Sequence, residues 1–263
     1  MESNRSDGPV AVVTGATRRR GIGAAICRAL AAKGADVFFT HWGDYDDTMP
    51  WGNDDEGPGA LRRDLEKAGV RAGDMEADLS DPDAAVRVLD AATEGIGPPS
   101  ILVNNAAHYS VRYGSQYEYL DAAMLDAHYA VNLRAAALLS VEFARRYPGG
   151  PGGRIVNLTS GQSLGPMLGE LAYVATKGAI EAFTLSLSAE VAHKGITVNA
   201  VGPGPTDTGN MNEESRQKLA KKFPTGRIGR PKDVARLVAF LAGEEAGWIT
   251  GQVIHSEGGF LRA

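Results

Sequence analysis

Residues 10–23 read VAVVTGATRRRGIG, an apolar run that leads into a turn with three glycines. The run predicts a buried strand, and the continuation GIGAAICRALAAKGA predicts a helix that begins near Ile22 and ends before Gly34. A turn between a strand and a helix N-terminus presents free amides and the positive end of the helix dipole, which favour a pyrophosphate. Five residues separate Gly15 from Gly21, unlike G-x-G-x-x-G, so a tight turn without a ligand is an open alternative.

The rest of the chain alternates short β-branched runs with longer amphipathic stretches. Strand followed by helix, repeated, demands a parallel sheet with helices on both faces. We therefore expect an α/β fold: a single-domain, Rossmann-type, doubly wound parallel sheet of about seven strands over residues 1–263, with a flexible tail at 1–8. Strands are predicted at Val10–Thr14, Asp36–Thr40, Val70–Glu76, Ile101–Asn104, Arg154–Thr159, Thr197–Val201 and Gln252–His255, and helices at Ile22–Lys33, Asp83–Thr93, Ala122–Arg146, Ala172–Lys194 and Pro231–Ala242.

The composition limits the classes of partner. The 263 residues carry 27 Lys and Arg against 32 Asp and Glu, so the chain lacks the basic excess of a protein that binds nucleic acid or anionic membranes. The single cysteine, Cys27, cannot form an internal disulfide and fits a reducing compartment. No apolar run is typical of a signal peptide or a membrane span. We expect a soluble, cytoplasmic protein with no metal site and no nucleic-acid or membrane partner.

Two segments interrupt the alternation of strands and helices. Residues 41–59, HWGDYDDTMPWGNDDEGPG, are too long and too acidic for an ordinary strand-to-helix loop, and residues 203–226 form a second irregular segment. Both follow predicted strands. The carboxyl edge of an open α/β sheet is where ligands bind, so both segments are expected near a site.

Three polar residues have spacings typical of acid–base chemistry. Tyr173 and Lys177 lie four apart in LAYVATKGAIEAF, which places them on one face of a helix. A neighbouring ammonium lowers the pKa of a phenol from its ordinary value of about 10. Ser160 ends the strand in RIVNLTSG, where its hydroxyl can bind the same substrate oxygen. Tyr-x-x-x-Lys alone is more often a solvated pair, but the conjunction of all three residues with the glycine-rich turn predicts a carbonyl-reduction site.

These motifs together resemble the short-chain dehydrogenase/reductase family, from Val10 to Phe260. The residues that carry the resemblance are TG…GIG at the turn, ADL at 77–79, NNAA at 104–107, VNL around Asn132, TSG with Ser160, YVATK at 173–177 and VNAVGPGPTDT at 198–208. The closing GRIGRPKDVARLVAFLAGEEAGWITGQVIHSEGGF is similar to the tail of the 3-oxoacyl-[acyl-carrier-protein] reductase branch.

The resemblance implies a role for each matching residue. Tyr173 would be the general acid, Ser160 would polarise the carbonyl, and Asn132 would position a water in the proton relay. Lys177 would hold the nicotinamide ribose and depress the pKa of Tyr173. Two alternatives remain: Asn132 satisfies backbone groups at a helix kink, and Asp78 only caps a helix with its neighbours. Further cofactor residues are implied by position. The turn residues Gly15, Thr17, Gly21, Ile22 and Gly23 would hold the pyrophosphate, Asp78 and Leu79 would meet the adenine, and Asn104 and Ala106 would line the adenosine ribose. Asn105 is a further cofactor residue, and Ala107 would form the floor beneath the nicotinamide. Thr206 and Thr208, after the turn at Pro203 and Gly204, would bind the carboxamide, and Tyr173 and Lys177 complete the set.

The cofactor is predicted from charge at the adenosine ribose. Members of the family that prefer NAD carry an acid at the end of the second strand, whereas this chain has His41 there. Arg18, Arg19 and Arg20 precede Gly21, and a guanidinium suits an added phosphate. We therefore expect NADP(H) rather than NAD. Which of the three arginines contacts the 2′-phosphate is open, and so is whether His41 bonds that phosphate or merely caps the strand edge.

The predicted function is NADP(H)-dependent reduction of a ketone to a secondary alcohol, similar to 3-oxoacyl reduction. Oxidation of a sugar, cyclitol or other secondary alcohol is an alternative, as is a catalytically silent NADP-binding sensor or subunit. Segment 41–59 is expected either to cover the adenosine end, to reach another subunit, or to pack as a surface loop. The resemblance also implies a homotetramer. Small-molecule substrate residues are predicted from adjacency alone: His108, Tyr109, Gln162, Gly169, Glu170 and Met211.

Overall fold

A computed structural model describes residues 8–54, 56–110 and 115–260 and contains a seven-stranded parallel sheet. The strand order is β3-β2-β1-β4-β5-β6-β7, so the chain winds outward from β1 in both directions. The predicted doubly wound α/β fold is confirmed. The predicted tail at 1–8 lies, apart from Gly8, outside the described residues. The strands are β1 Val10–Val13, β2 Asp36–His41, β3 Ala72–Glu76, β4 Ile101–Asn104, β5 Gly153–Leu158, β6 Ile196–Pro203 and β7 Val253–Ser256.

Helices cover both faces of the sheet. They are α1 Ile22–Ala31, α2 Gly43–Asp47, α3 Gly57–Lys67, α4 Ala84–Gly95, α5 Ala122–Tyr129, α6 Ala136–Arg146, α7 Leu171–Val191, α8 Glu213–Ala220 and α9 Pro231–Leu241. Side chains alternate along β1, so Val13 packs on the face with α1, α3 and α9, whereas Val12 packs on the face with α4, α6 and α7. Both faces of the central strands are therefore dry, which explains their unbroken apolar sequence.

Several predicted boundaries were wrong for identifiable reasons. The predicted helix 122–146 is interrupted by a π-helical turn at Ala130–Ala135, which apolar periodicity does not reveal. Helix α3 was missed because Gly57, Pro58 and Gly59 read as loop residues. The segments 41–59 and 203–226 are not wholly irregular, since each contains a short helix, α2 and α8. Strand β4 matches its predicted range, and the other six strands differ from theirs by one or two residues at their ends.

In the described part of the chain, no helix combines the length and the apolar character needed to cross a bilayer.

A buried amide network ties β4 and β5 to the helix α7 beneath the site. Asn157, fully buried, accepts from Asn104 Nδ2 at 2.8 Å and donates from its own Nδ2 to Thr184 Oγ1 at 2.9 Å. Asn104 also donates to Ser140 Oγ at 2.9 Å. The expectation that Asn104 lines the adenosine ribose is corrected, because its side chain points into this network.

Replacing Asn157 with alanine should lower the free energy of unfolding by about 2–4 kcal/mol, because it removes two buried hydrogen bonds, to Asn104 and to Thr184. Urea unfolding followed by circular dichroism measures the loss. The matched control is Thr197→Val on β6, since Thr197 is also buried but its Oγ1 has no hydrogen-bond partner among the described residues. The free energy of unfolding of the control should stay within about 1 kcal/mol of that of the unaltered protein. Equal losses of stability in both variants would show that the network does not contribute.

Candidate active site

The glycine-rich turn packs closely against the end of β4, and Gly15 and Gly23 have no room for a side chain. A Cβ added to Gly15, whose φ is +71°, would stand 2.7 Å from Ala106 Cα, and one added to Gly23 would stand 2.4 Å from the Gly15 carbonyl oxygen. Helix α1 begins directly after Gly21, and no described side chain caps its N-terminus. The first turn of α1 therefore keeps free N–H groups, which with the helix dipole form a cradle suited to a pyrophosphate.

A cavity of about 250 Å³ opens between this turn, the ends of β2 and β4, and the loop after β6. It brings together most of the predicted cofactor residues from distant parts of the sequence. Among residues predicted from sequence, it is lined by Gly15, Thr17, Arg18, Gly21, Ile22, Gly23, His41, Leu79, Asn105, Ala106, Ala107, His108, Tyr109 and Thr208.

The three consecutive arginines have different bonding partners, although all three line a second, more open depression of about 680 Å³ beside the cavity. Arg18 is the one of the three that lines the cavity; its guanidinium lies 4.7 Å from the Trp51 ring and donates to Asn210 Oδ1 at 2.9 Å. Arg19 bonds Glu56 and contacts Asp64 at 3.4 Å. Arg20 is exposed and packs beside Gly209. Burial lowers the pKa of Arg18, so its positive charge is partly desolvated.

The cavity wall beside Arg18 contains a carboxylate that the sequence analysis did not single out. Asp46, on α2, lines the cavity, is buried, and accepts from Trp51 Nε1 at 2.7 Å. Its Oδ1 lies 4.0 Å from Arg18 Nε. His41, at the position expected for an acid, instead contacts Asp74 Oδ2 at 3.2 Å. The aromatic and acidic composition of segment 41–59 was the available signal for Asp46.

Ser160, Tyr173 and Lys177 converge where β5 ends beside α7. The Ser160 hydroxyl lies beside the Tyr173 phenol, whose pKa it lowers, and donates to Met167 Sδ at 3.8 Å. Lys177 Nζ lies 5.6 Å from the centre of the Tyr173 ring. Lys177 Nζ donates to the Leu158 carbonyl oxygen at 2.8 Å. The four-residue spacing thus places both side chains on the face of α7 that meets β5.

Burial has the largest effect on the pKa values of Tyr173 and Lys177. The pKa of Tyr173 is raised, first by burial and then by the negative charge of Glu170, and the Ser160 hydroxyl opposes this only in part. The depression of that pKa by Lys177 stays a prediction. Burial also lowers the pKa of Lys177, to about 8. Both groups are desolvated, which disfavours the phenolate and the ammonium alike.

Asn132 serves the backbone of the loop after β4. It lies in the π-helical turn, where its Oδ1 accepts from the His108 N–H at 2.6 Å and its Nδ2 donates to the His108 carbonyl at 3.0 Å. Its Nδ2 also contacts Thr176 Oγ1 at 3.2 Å. This matches the alternative that the residue satisfies backbone groups, and it fixes the loop against α7.

Several predicted cofactor residues lie outside the cavity lining. Asp78 accepts from the N–H and hydroxyl of Ser80, at 2.8 and 2.9 Å, so it stabilises the turn after β3 and does not cap α4, whose N-cap residue is Asp83. Thr206 Oγ1 donates to the Gly204 carbonyl at 2.9 Å, and Gly204 packs against Glu257. The structure therefore brings Thr208 to the cavity, but not the remainder of the predicted carboxamide group: Pro203, Gly204 and Thr206.

The predicted substrate residues separate into two groups. Tyr109 stands edge-on to Tyr173 with ring centres 5.7 Å apart, and its hydroxyl donates to Glu170 Oε1 at 3.3 Å. Burial raises the pKa of Glu170. Gln162 instead donates to Thr159 and Glu181, and the Met211 carbonyl accepts from Arg216. His108 lines the cavity and stacks edge-on against His128 at 4.8 Å.

The chain is similar to known oxidoreductases over nearly its whole length. A family model described as enoyl-(acyl carrier protein) reductase matches residues 15–261. The uncharacterized oxidoreductase YjdA of Bacillus subtilis (strain 168) is 53% identical over 98% of this chain and 99% of its own. The 3-oxoacyl-[acyl-carrier-protein] reductase FabG of Vibrio cholerae serotype O1 is 36% identical over 96% of this chain and 97% of its own. A short chain dehydrogenase from Burkholderia cenocepacia J2315, solved in complex with NADP, superposes with a TM-score of 0.82 at 36% identity, covering 97% of this chain and 99% of its own.

Lys177 should reduce stability at neutral pH. A pKa lowered from 10.5 to about 8 means that the unfolded chain binds more protons between those values, so stability rises with pH across that window. At pH 7 the charged form costs about 3 kcal/mol. Lys177→Met removes this cost but also the hydrogen bond to Leu158, so it should raise the free energy of unfolding by about 2 kcal/mol at pH 7. This gain in stability should disappear by pH 10.5.

Urea unfolding at pH 7 and near pH 10.5 measures this difference between the variants. The control is Lys221→Met, which changes an exposed lysine at the end of α8. A gain at both pH values, or the same gain in the control, would show that desolvation of Lys177 is not the cause.

Proposed function

The chain belongs to the short-chain dehydrogenase/reductase family, and on that premise we propose that it is an NADP(H)-dependent oxidoreductase that reduces a ketone to a secondary alcohol. The observation that carries this proposal is the convergence of Ser160, Tyr173 and Lys177 where β5 meets α7. Tyr173 stands against Tyr109, which lines the cavity together with the glycine-rich turn. A donor hydroxyl, a second hydroxyl that orients it and a buried amine are the parts that proton transfer to a carbonyl oxygen requires.

The protein's own side chains bind the substrate, hold the cofactor and supply the proton. The nicotinamide, when bound, supplies the hydride. Ser160 binds the substrate oxygen, and Tyr173 delivers the proton to it. The raised pKa of Tyr173 keeps its phenol protonated at neutral pH, which favours reduction over oxidation, since oxidation needs the phenolate as a base. Lys177 would bind the ribose hydroxyls from its position at Leu158, and Asn132 would position the loop at His108.

The preference for NADP(H) is proposed from the charge around Arg18. Its guanidinium is partly desolvated, and the acid within ion-pair distance of it, Asp46, is 4.0 Å away and also accepts from Trp51. Such a cation is stabilised by a further anion, and a guanidinium suits phosphate. Arg19 already bonds Glu56 and Asp64, so it has less capacity for a ligand. The NADP complex of the Burkholderia neighbour supports this choice.

The substrate class is proposed as a small-molecule carbonyl compound, with 3-oxoacyl groups as the first candidates. The similarity to the Vibrio reductase supports this class. The Tyr109–Glu170 pair beside Tyr173 supplies a hydroxyl and a carboxyl group that can bind a hydrogen-bond donor on the substrate. The homotetrameric state and the cytoplasmic location stay predictions.

Arg18→Ala should weaken NADPH binding by about 10- to 100-fold, because it removes a charge-assisted hydrogen bond to phosphate. Binding of NADH should change far less if that phosphate is the 2′-phosphate. Fluorescence titration with each dinucleotide measures both affinities. Arg20→Ala is the matched control, since Arg20 is exposed beside the same turn. Equal losses for NADPH and NADH would contradict a 2′-phosphate contact by Arg18.

Tyr173→Phe should reduce ketone turnover by about 10²- to 10⁴-fold while NADPH binding stays intact, because the change removes the proton donor and little else. Oxidation of NADPH, followed at 340 nm with a panel of 3-oxoacyl esters and activated ketones, measures it. Tyr129→Phe, at an exposed position on α5, is the control. Turnover that survives in Tyr173→Phe would refute the proposed proton donor.

A further inference from the structure

The segment between β2 and α3 makes contacts that the proposed reaction does not use. We call residues 42–54 the insert; it begins directly after β2 and includes α2. Four of its side chains, Trp42, Tyr45, Asp46 and Trp51, line the cavity together with the glycine-rich turn. The insert is thus a wall of the cavity and not only a loop on the surface.

On one side the insert is attached to the glycine-rich turn. The Trp42 N–H donates to Thr17 Oγ1 at 3.2 Å, and the Arg19 N–H donates to Asp54 Oδ2 at 2.9 Å. The Trp51 ring stacks on the Arg18 guanidinium. These contacts hold both ends of the insert to the turn.

On the other side the insert reaches the loop after β4. Tyr45 Oη accepts from the Tyr109 N–H at 2.9 Å and donates to the Tyr109 carbonyl at 3.4 Å, and its ring lies 5.7 Å from His108. Burial raises the pKa of Tyr45 to about 12, so the hydroxyl stays a donor at neutral pH. One side chain therefore satisfies both backbone groups of Tyr109.

The strand order shows what lies between these two attachments. Strand β1 stands between β2 and β4, and the glycine-rich turn follows β1. A segment that leaves β2 and bonds to a residue after β4 must therefore cross the carboxyl end of β1. The insert spans the crevice in which a dinucleotide binds in this fold.

The insert and the loop after β4 meet across this crevice. Tyr45 is bonded to the backbone of Tyr109, and both residues line the cavity of about 250 Å³ that contains the glycine-rich turn. A dinucleotide that extends from the first turn of α1 to Thr208 runs past this contact, so its entry and exit require the insert to move away from the loop after β4.

We infer that the insert is a gate over the dinucleotide site, held shut by the bonds of Tyr45 to the backbone of Tyr109. The inference rests on the proposed function, since it takes a nicotinamide dinucleotide as the ligand. The insert opens to admit the dinucleotide, closes over it, and opens again to release it. Because the Tyr109 ring contacts Tyr173, closure also completes the wall beside the proton donor.

The gate predicts a specific pattern of rates. The Tyr45–Tyr109 bonds exist in the protein before the ligand enters, so their loss favours the open state with and without ligand. Association and dissociation then accelerate together, and the equilibrium constant changes little. A side chain that merely contacts the dinucleotide would affect dissociation alone.

The test is stopped-flow fluorescence of NADPH with Tyr45→Phe. Loss of two neutral hydrogen bonds should raise both rate constants by about 5- to 100-fold. The dissociation constant should stay within about threefold, because the balance of open and closed forms shifts alike in the free and bound protein. Tyr117→Phe makes the same chemical change at a residue that is 74% exposed and outside the insert, and both of its rate constants should match those of the unaltered protein.

Other outcomes overturn the inference in distinguishable ways. Unchanged rates in Tyr45→Phe would show that the insert does not gate, and a faster dissociation alone would make Tyr45 a ligand contact. If neither NADPH nor NADH binds to the unaltered protein, the proposed function fails first. If NADPH binds and only the rates disagree, the proposed function survives and the gate does not.

Limited chymotrypsin digestion of the unaltered protein provides a measurement that needs no variant. The insert contains Trp42, Tyr45 and Trp51 as cleavage sites, whereas Trp248 is 99% exposed and serves as the internal control. Saturating NADPH should slow cleavage in the insert at least severalfold and leave cleavage at Trp248 unchanged. Cleavage of the insert at the same rate with and without NADPH would overturn the gate.

Discussion

The close approach between the glycine-rich turn and the end of β4 is the constraint on which the site depends. Gly15 faces Ala106 at a distance that excludes any Cβ, and the Asn105 side chain donates to the carbonyls of Thr14 and Gly15, at 2.8 Å each. These contacts hold the turn on the edge of the sheet. They leave the first N–H groups of α1 directed at the cavity, so the anion cradle and the floor beneath it form as one unit.

Desolvation sets the chemistry at the other end of the site. The same burial that raises the pKa of Tyr173 lowers that of Lys177 to about 8, so both groups are pushed towards their neutral forms. A neutral phenol is a proton donor, and a buried amine binds hydroxyl groups as well as charges. Glu170 strengthens the effect on Tyr173 because a second negative charge nearby disfavours the phenolate. The arrangement thus favours delivery of a proton over its removal.

Tyr109 connects the two ends of the site. Its backbone is bonded by Tyr45 of the insert, its ring contacts Tyr173, and its hydroxyl reaches Glu170. The neighbouring His108 backbone is held by Asn132. The loop after β4 is therefore fixed from three directions, and the insert is connected to Tyr173 through packed groups rather than through solvent.

Local patterns in the sequence were sufficient for the fold class and for the Ser160–Tyr173–Lys177 constellation. Apolar runs, glycine at the turn and a four-residue helical spacing act over short distances, so they can be read directly. Tertiary structure decided the bonding partners of each arginine and the inward direction of the Asn104 side chain, because these depend on residues elsewhere in the chain. It also decided the sign of the change in the pKa of Tyr173, since a sequence shows which charges are neighbours but not how much water each one has lost.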